Sequence, residues 1–191
     1  MGKFTFSQLK IPELVVVEPT VFGDDRGFFM ETWHKEEFAA AGLRDEFVQD
    51  NHSKSRRGVL RGLHFQWQNT QAKLVRVLSG RVFDVGVDLR PNSACYGQWD
   101  GVELSAENKK QLYVPQGFAH GFLVLSEEAE FCYKCTDVYN PAAEGGIRWN
   151  DADIGIVWPD AGTKPLLSAK DDELPGFAGQ DFSAFERWFR P

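Results

Sequence analysis

The chain has 191 residues and a net charge of −7, with 42% hydrophobic and 26% charged residues. These values describe an ordinary soluble globular protein, large enough for one domain with a full core, predicted to span 1–191. The acidic balance argues against nucleic acid as a main partner, though a local Arg/Lys cluster can still hold a small anion.

No apolar run approaches the roughly 20 residues a membrane helix needs. The first residues lack the apolar stretch of a signal peptide, so a cytoplasmic location is predicted. Three cysteines cannot all pair, which fits a reducing compartment. Cys132 and Cys135 form a Cys-x-x-Cys on a predicted strand. An offset of three puts them on opposite faces, so structural thiols are expected rather than a zinc or redox pair.

In chain order, residues 14–18 read as a short strand and 23–27 as a turn. Residues 28–33 read as a strand. A helix is predicted over 35–41, with Glu36 and Glu37 near its start and Gly42 as its stop. Residues 47–53 lead into a predicted loop at 54–58. From 58 to about 137 the pattern is strand after strand, at 60–66, 72–78, 81–89, 97–104, 111–114, 121–125 and 130–137. Short strands at such spacing, without intervening helices, predict a mainly β sandwich or barrel. Residues 182–189 carry apolar residues at helical spacing, so a C-terminal helix is predicted.

The strand pattern and Pro115-x-Gly117-x-x-His120 resemble a cupin-like β jelly roll, with its core at about 58–137. Metal-binding cupins carry His-x-His and then Glu. Here Gln66 stands two residues after His64 and no Glu follows nearby, so no metal is expected on this ligand count. Alternation puts His64 with Gln66 on one face, Lys73 with Val75 and Val77, Asp84 with Gly86 and Asp88, and Tyr133 with Phe131 and Cys135. An interior holding His64, Lys73, Asp84 and Tyr133 is a polar pocket, which is costly unless it is a site.

The run Gly58-Val59-Leu60-Arg61-Gly62-Leu63-His64-Phe65-Gln66, with 47–53, 73–77, 84–90, 115–122, 133–137 and 147–151, resembles the dTDP-4-dehydrorhamnose 3,5-epimerase family. The match runs in order from about Val15 to Asp172. The resemblance implies a cofactor-free isomerase that acts on dTDP-4-dehydro-6-deoxy-D-glucose and inverts C3 and C5 beside the C4 ketone. Such chemistry needs a base, a cation or donor at the enolate oxygen, and an acid on the opposite face.

By resemblance, His64 is the base, Asp171 its orienter, Lys73 the donor to the C4 oxygen and Tyr133 the acid. Arg61 and His120 are implied at the sugar–diphosphate region. Arg26, Phe29 and Glu31 are implied at the nucleotide end, with Gln49 and Asn51 nearby. Tyr139 is implied beside the thymine, with Glu144 and Lys170 completing the wall. The resemblance also implies a homodimer with exchanged N-terminal strands, so that Arg26 and Glu31 serve the neighbouring pocket. Residue types alone leave open whether Asp171 or Asp84 bonds His64. The competing readings are a single-site C3 or C5 epimerase, a non-catalytic nucleotide-sugar-binding cupin and a metal-dependent cupin enzyme.

Overall fold

A computed structural model describes residues 2–188. The strands in chain order are β1 (Phe4–Gln8), β2 (Val15–Pro19), β3 (Phe22–Asp24) and β4 (Gly27–Phe29). After helix α1 (Lys35–Ala40) come β5 (Gln49–Arg56), β6 (Leu60–Gln66), β7 (Lys73–Ser79) and β8 (Arg81–Asp88). Then follow β9 (Trp99–Ser105), β10 (Gln111–Val114), β11 (Phe118–Val124), β12 (Glu128–Cys135) and β13 (Glu144–Gly146). A one-turn helix α2 (Ala169–Asp172) comes late in the chain, and 3-10 turns occupy Pro141–Ala143 and Ser183–Trp188.

Two antiparallel sheets face each other as the expected β jelly roll. One has the order β1-β2-β10-β7-β12-β5, the other β13-β6-β11-β8-β9, and β3 and β4 form a separate hairpin. Between the sheets lie Val75, Val77, Val114 and Phe131 from the first, and Val82, Phe118, Phe122 and Val124 from the second. Alternation sends Leu74, Tyr113, Val15 and Val17 outward, where Phe38 of α1 covers them. Leu63, Phe65, Val85 and Val87 point out of the second sheet and are covered by Phe182 and Phe185 of the tail. Both sheets therefore bury apolar side chains on two faces. The interior can turn polar toward one end without losing the core.

One irregularity decides what enters that interior. His120 pairs with His64, but Phe122 pairs with Arg61, so two residues of β11 answer three of β6. The extra residue is a bulge, and it brings Arg61 and His64 to the same face although they lie three apart. Gly62 has φ +120°, and a Cβ there would sit 2.6 Å from the Gly121 Cα. Gly62→Ala should therefore lower the free energy of unfolding by about 2 kcal/mol or more. A urea melt that matches the parent would remove this account of the bulge.

Several expected boundaries are corrected. The predicted loop at 54–58 is mostly strand, because β5 pairs with β12 along its whole length to Arg56. The strand expected over 28–33 stops at Phe29. The N-terminal strand β1 was not expected from the sequence and pairs with β2. The tail forms a 3-10 turn over Ser183–Trp188 rather than an α-helix, and Phe189 of the expected helix lies outside the described residues. Cys132 and Cys135 do point to opposite faces, Cys135 inward and buried beside Asn51.

Candidate active site

A cavity of about 330 Å³ opens at the polar end of the sandwich. His64, Lys73, His120, Tyr133, Tyr139 and Glu144 line it, with Gln49 and Asn51 from β5 and the apolar Val114 and Phe118. Both sheets contribute. β6 and β11 carry His64 and His120 side by side, and β7 pairs with β12 so that Lys73 lies opposite Cys135 and Val75 opposite Tyr133.

His64 Nε2 lies 2.5 Å from Asp171 Oδ1. Asp171 is 4% exposed and is held from both ends. Its backbone N–H donates to Ser168 Oγ at 3.1 Å, and Ser168 Oγ donates to its Oδ2 at 2.8 Å. Ser168 is the N-cap of α2, so a Ser-x-x-Asp cap doubles as the support of the carboxylate. Burial pushes the Asp171 carboxyl up, but hydrogen bonds from His64 and Ser168 and the charge of Lys170 win and hold it below the ordinary range. With Asp171 on Nε2, the Nδ1 atom of His64 is the nitrogen left for a ligand.

The second imidazole has its own carboxylate. His120 Nε2 lies 2.9 and 3.0 Å from the two oxygens of Asp84, which is 0% exposed. The question of which carboxylate meets His64 is thus answered by geometry: Asp171 does, and Asp84 is taken by His120. Burial raises the Asp84 carboxyl, against the opposing pull of His120 and Lys73.

Lys73 and Tyr133 supply the other reactive groups. The Lys73 Nζ lies 5.9 Å from the centre of the Tyr133 ring. Neither the amine nor the phenol makes a hydrogen bond or ion pair among the described residues, so both remain available to a ligand in the cavity. Burial lowers the Lys73 amine, while the neighbouring Cys135, Asp84 and Glu144 pull it back up. Burial raises the Tyr133 phenol, Cys135 adds to this, and Arg61 opposes it. Arg61 itself donates from Nε and Nη2 to Ser55 Oγ at 3.1 Å.

The outer wall is a linked set. Tyr139 donates to Glu144 Oε2 at 2.7 Å, and Lys170 pairs with the same oxygen. Burial pushes Glu144 up, and these two partners more than reverse it. Gln49 Oε1 accepts from the Tyr139 backbone N–H at 2.8 Å.

Six of the expected residues are not on the cavity lining: Asp171 and Lys170 stand behind His64 and Glu144, Arg61 is bonded to Ser55, and Arg26, Phe29 and Glu31 lie away from the cavity in the same chain. Arg26 forks onto Asp24 in the β3–β4 hairpin, its Nη2 2.5 Å from Oδ2. Phe29 of that hairpin is 66% exposed. Glu31 pairs with Lys3 at 2.5 Å.

Gln66 had figured in the sequence only as a missing ligand. Its amide donates to the Asn69 and Val138 carbonyls, and its Oε1 accepts from the Asn140 N–H at 2.8 Å. It therefore pins the loop that carries Tyr139. No group of three or more His, Cys, Asp or Glu side chains suited to a metal ion occurs among the described residues. Ser168 was also unforeseen, although its capping spacing to Asp171 is visible in the chain.

The dTDP-4-dehydrorhamnose 3,5-epimerase family model matches residues 8–179. The dTDP-4-dehydrorhamnose 3,5-epimerase of Salmonella typhimurium is 58% identical over 167 residues, covering 86% of this chain and 91% of the relative. That of Pseudomonas aeruginosa is 56% identical, covering 92% and 97%. The crystal structure of dTDP-6-deoxy-D-glucose-3,5-epimerase from Legionella pneumophila, in complex with dTDP-4-keto-L-rhamnose, superposes with a TM-score of 0.91. It shares 48% identity and covers 95% of this chain and 96% of that one. A match of this extent, over a cavity lined by His64, Lys73 and Tyr133 with Asp171 bonded behind His64, places the chain in the dTDP-4-dehydrorhamnose 3,5-epimerase family.

Proposed function

We propose that the chain converts dTDP-4-dehydro-6-deoxy-D-glucose to dTDP-4-dehydro-β-L-rhamnose, inverting C3 and C5 through an enolate. The observation that carries the reading is the convergence on one cavity of a carboxylate-bonded imidazole with an amine and a phenol that have no hydrogen-bond or ion-pair partner among the described residues.

A proton beside a ketone becomes removable when the enolate oxygen is stabilised. His64 Nδ1 takes the proton from carbon, and Asp171 stabilises the imidazolium that forms. Lys73 donates to the C4 oxygen as its charge grows. Tyr133 returns a proton to the opposite face of the same carbon, and the ketone reforms inverted. Two such cycles, one at C3 and one at C5, give the product. Each cycle breaks and remakes a C–H bond without net oxidation, so it calls for no redox cofactor.

The remaining residues bind. Arg61 and His120 hold the sugar–diphosphate region. Gln49, Asn51 and Tyr139 serve the nucleotide end, and Glu144 and Lys170 fix Tyr139 and the wall. Arg26, Phe29 and Glu31 reach the pocket of a second copy in a homodimer with exchanged N-terminal strands. The exposed Phe22, Phe28 and Phe29 of the hairpin support this arrangement. The enzyme acts in the cytoplasm as one domain spanning 1–191. No helix of the described residues is long and apolar enough to cross a membrane.

The test is incubation of the protein with its substrate in D2O, read by NMR. Deuterium should appear at both C3 and C5. Label at one carbon alone would establish a single-site epimerase, and tight binding without any label would leave only a nucleotide-sugar-binding protein.

A further inference from the structure

Gln66 stands two residues after His64 on β6, and both line the cavity. Its side chain is buried, with 5% of the residue exposed. It is tied to Tyr139 by two routes. Through the side chain it bonds both chain neighbours of Tyr139. Nε2 donates to the Val138 carbonyl at 3.2 Å, and Oε1 accepts from the Asn140 N–H at 2.8 Å. Through the backbone it pairs with Glu144, across β6 and β13. Glu144 Oε2 in turn accepts from the Tyr139 hydroxyl at 2.7 Å. Main chain and hydroxyl of Tyr139 are thus both referred to one residue.

The segment 138–140 needs that support. It lies between β12 and the 3-10 turn at Pro141–Ala143, outside any strand, so side chains rather than a ladder must answer its backbone groups. Gln49 takes the Tyr139 N–H, and Gln66 takes a group on either side of it. The Gln66 amide also donates to the Asn69 carbonyl at 2.6 Å. A carboxamide offers this pattern, two donated bonds and one accepted on one planar group. A carboxylate there would face two carbonyls with no proton to give. Tyr139 itself is 53% exposed, so packing alone does not fix its direction.

We propose that Gln66 is a positioning residue for nucleotide binding, holding Tyr139 ready to meet the nucleobase before the ligand arrives. The inference rests on the reading of Tyr139 as the residue beside the thymine. A side chain already ordered in its bound direction costs less to fix on association, so affinity at the nucleotide end is set from β6. Proton transfer at His64 is left alone.

The test is a double-mutant cycle on the binding of dTDP, read by calorimetry. Tyr139→Ala should weaken dTDP about tenfold or more, the size of one lost base–aromatic contact. Gln66→Met keeps the length of the side chain and none of its three bonds. It should weaken dTDP about fivefold or more, but no further than Tyr139→Ala does. Made in Tyr139→Ala, the same change should add less than about twofold. Inorganic diphosphate has no nucleobase and should bind Gln66→Met as it binds the parent. In turnover by Gln66→Met, KM should rise while kcat stays within about twofold.

Parental dTDP affinity in Gln66→Met overturns the inference. So do losses that add in the double variant, an equal weakening of inorganic diphosphate, or a fall in kcat without a rise in KM. If Gln66→Met does not fold, Gln66→Glu carries the same cycle, since it keeps the acceptor for Asn140 and loses the donations. Parental dTDP affinity in Tyr139→Ala would instead overturn the reading of Tyr139 at the nucleotide end. A weakened Tyr139→Ala beside a parental Gln66→Met removes only the role given to Gln66.

Discussion

His64→Ala should lower kcat by about 10³-fold or more and abolish deuterium uptake at both C3 and C5. A positioned general base contributes about 10²–10⁴, and here one imidazole serves both carbons, so both exchanges fall together. The variant should fold. His64 is only half-buried, and its side chain bonds to Asp171 rather than bracing the core. Asp171→Ala should fall nearly as far. It leaves the imidazole in place but removes the group that fixes its tautomer and shares its charge. Because Asp171 is held below the ordinary carboxylate range, it remains ionised throughout the working range. Its contribution to stability is full above the unfolded value of 3.8 and is lost only as the pH falls through the lower folded value. Loss of activity near neutral pH in Asp171→Ala therefore reports on the imidazole and not on acid unfolding. Turnover close to the parent in either variant, measured with circular dichroism showing a native fold, would remove the pair from the mechanism.

The parts of this site that were legible in the sequence are those fixed by period two. Alternation gave the residues that share a face with His64, Lys73, Asp84 and Tyr133 but not which face is inner, and the structure puts His64, Lys73 and Tyr133 on the cavity wall, with Asp84 buried behind His120. Arg61 defied the same rule, because an offset of three from His64 reads as the opposite face. The bulge at Gly62 reverses it, and a bulge depends on the partner strand, which no local pattern contains. β5 was hidden for a different reason. Its inward residues Gln49, Asn51, Ser53 and Ser55 are as polar as its outward ones, so hydrophobicity does not alternate along it. It is polar on both faces because its inner face lines the cavity and backs Arg61. Chemistry there overrides the signal by which strands are recognised. The meeting of Asp171 with His64 spans 107 positions of chain. The family resemblance implied Asp171 and the residues left Asp84 open beside it, and the fold selects Asp171.

Tyr133→Phe should separate proton exchange from inversion. The Tyr133 hydroxyl makes no hydrogen bond among the described residues, so its loss should leave stability almost unchanged. Phenylalanine keeps the ring packed against Phe131, whose centroid lies 5.9 Å away. Burial holds the phenol protonated through the working range, as an acid must be. With it gone, His64 still removes the proton and Lys73 still meets the enolate. The only proton then on offer returns from His64, on the face it left. Substrate recovered from D2O should therefore carry deuterium with unchanged configuration, while formation of the inverted product falls by about 10²–10⁴-fold. A variant that inverts at the parental rate would mean that another group protonates the far face. Loss of both exchange and inversion would place Tyr133 in the first proton removal instead. The division of labour between the two faces thus rests on one hydroxyl, and a single spectrum of recovered substrate distinguishes the three cases.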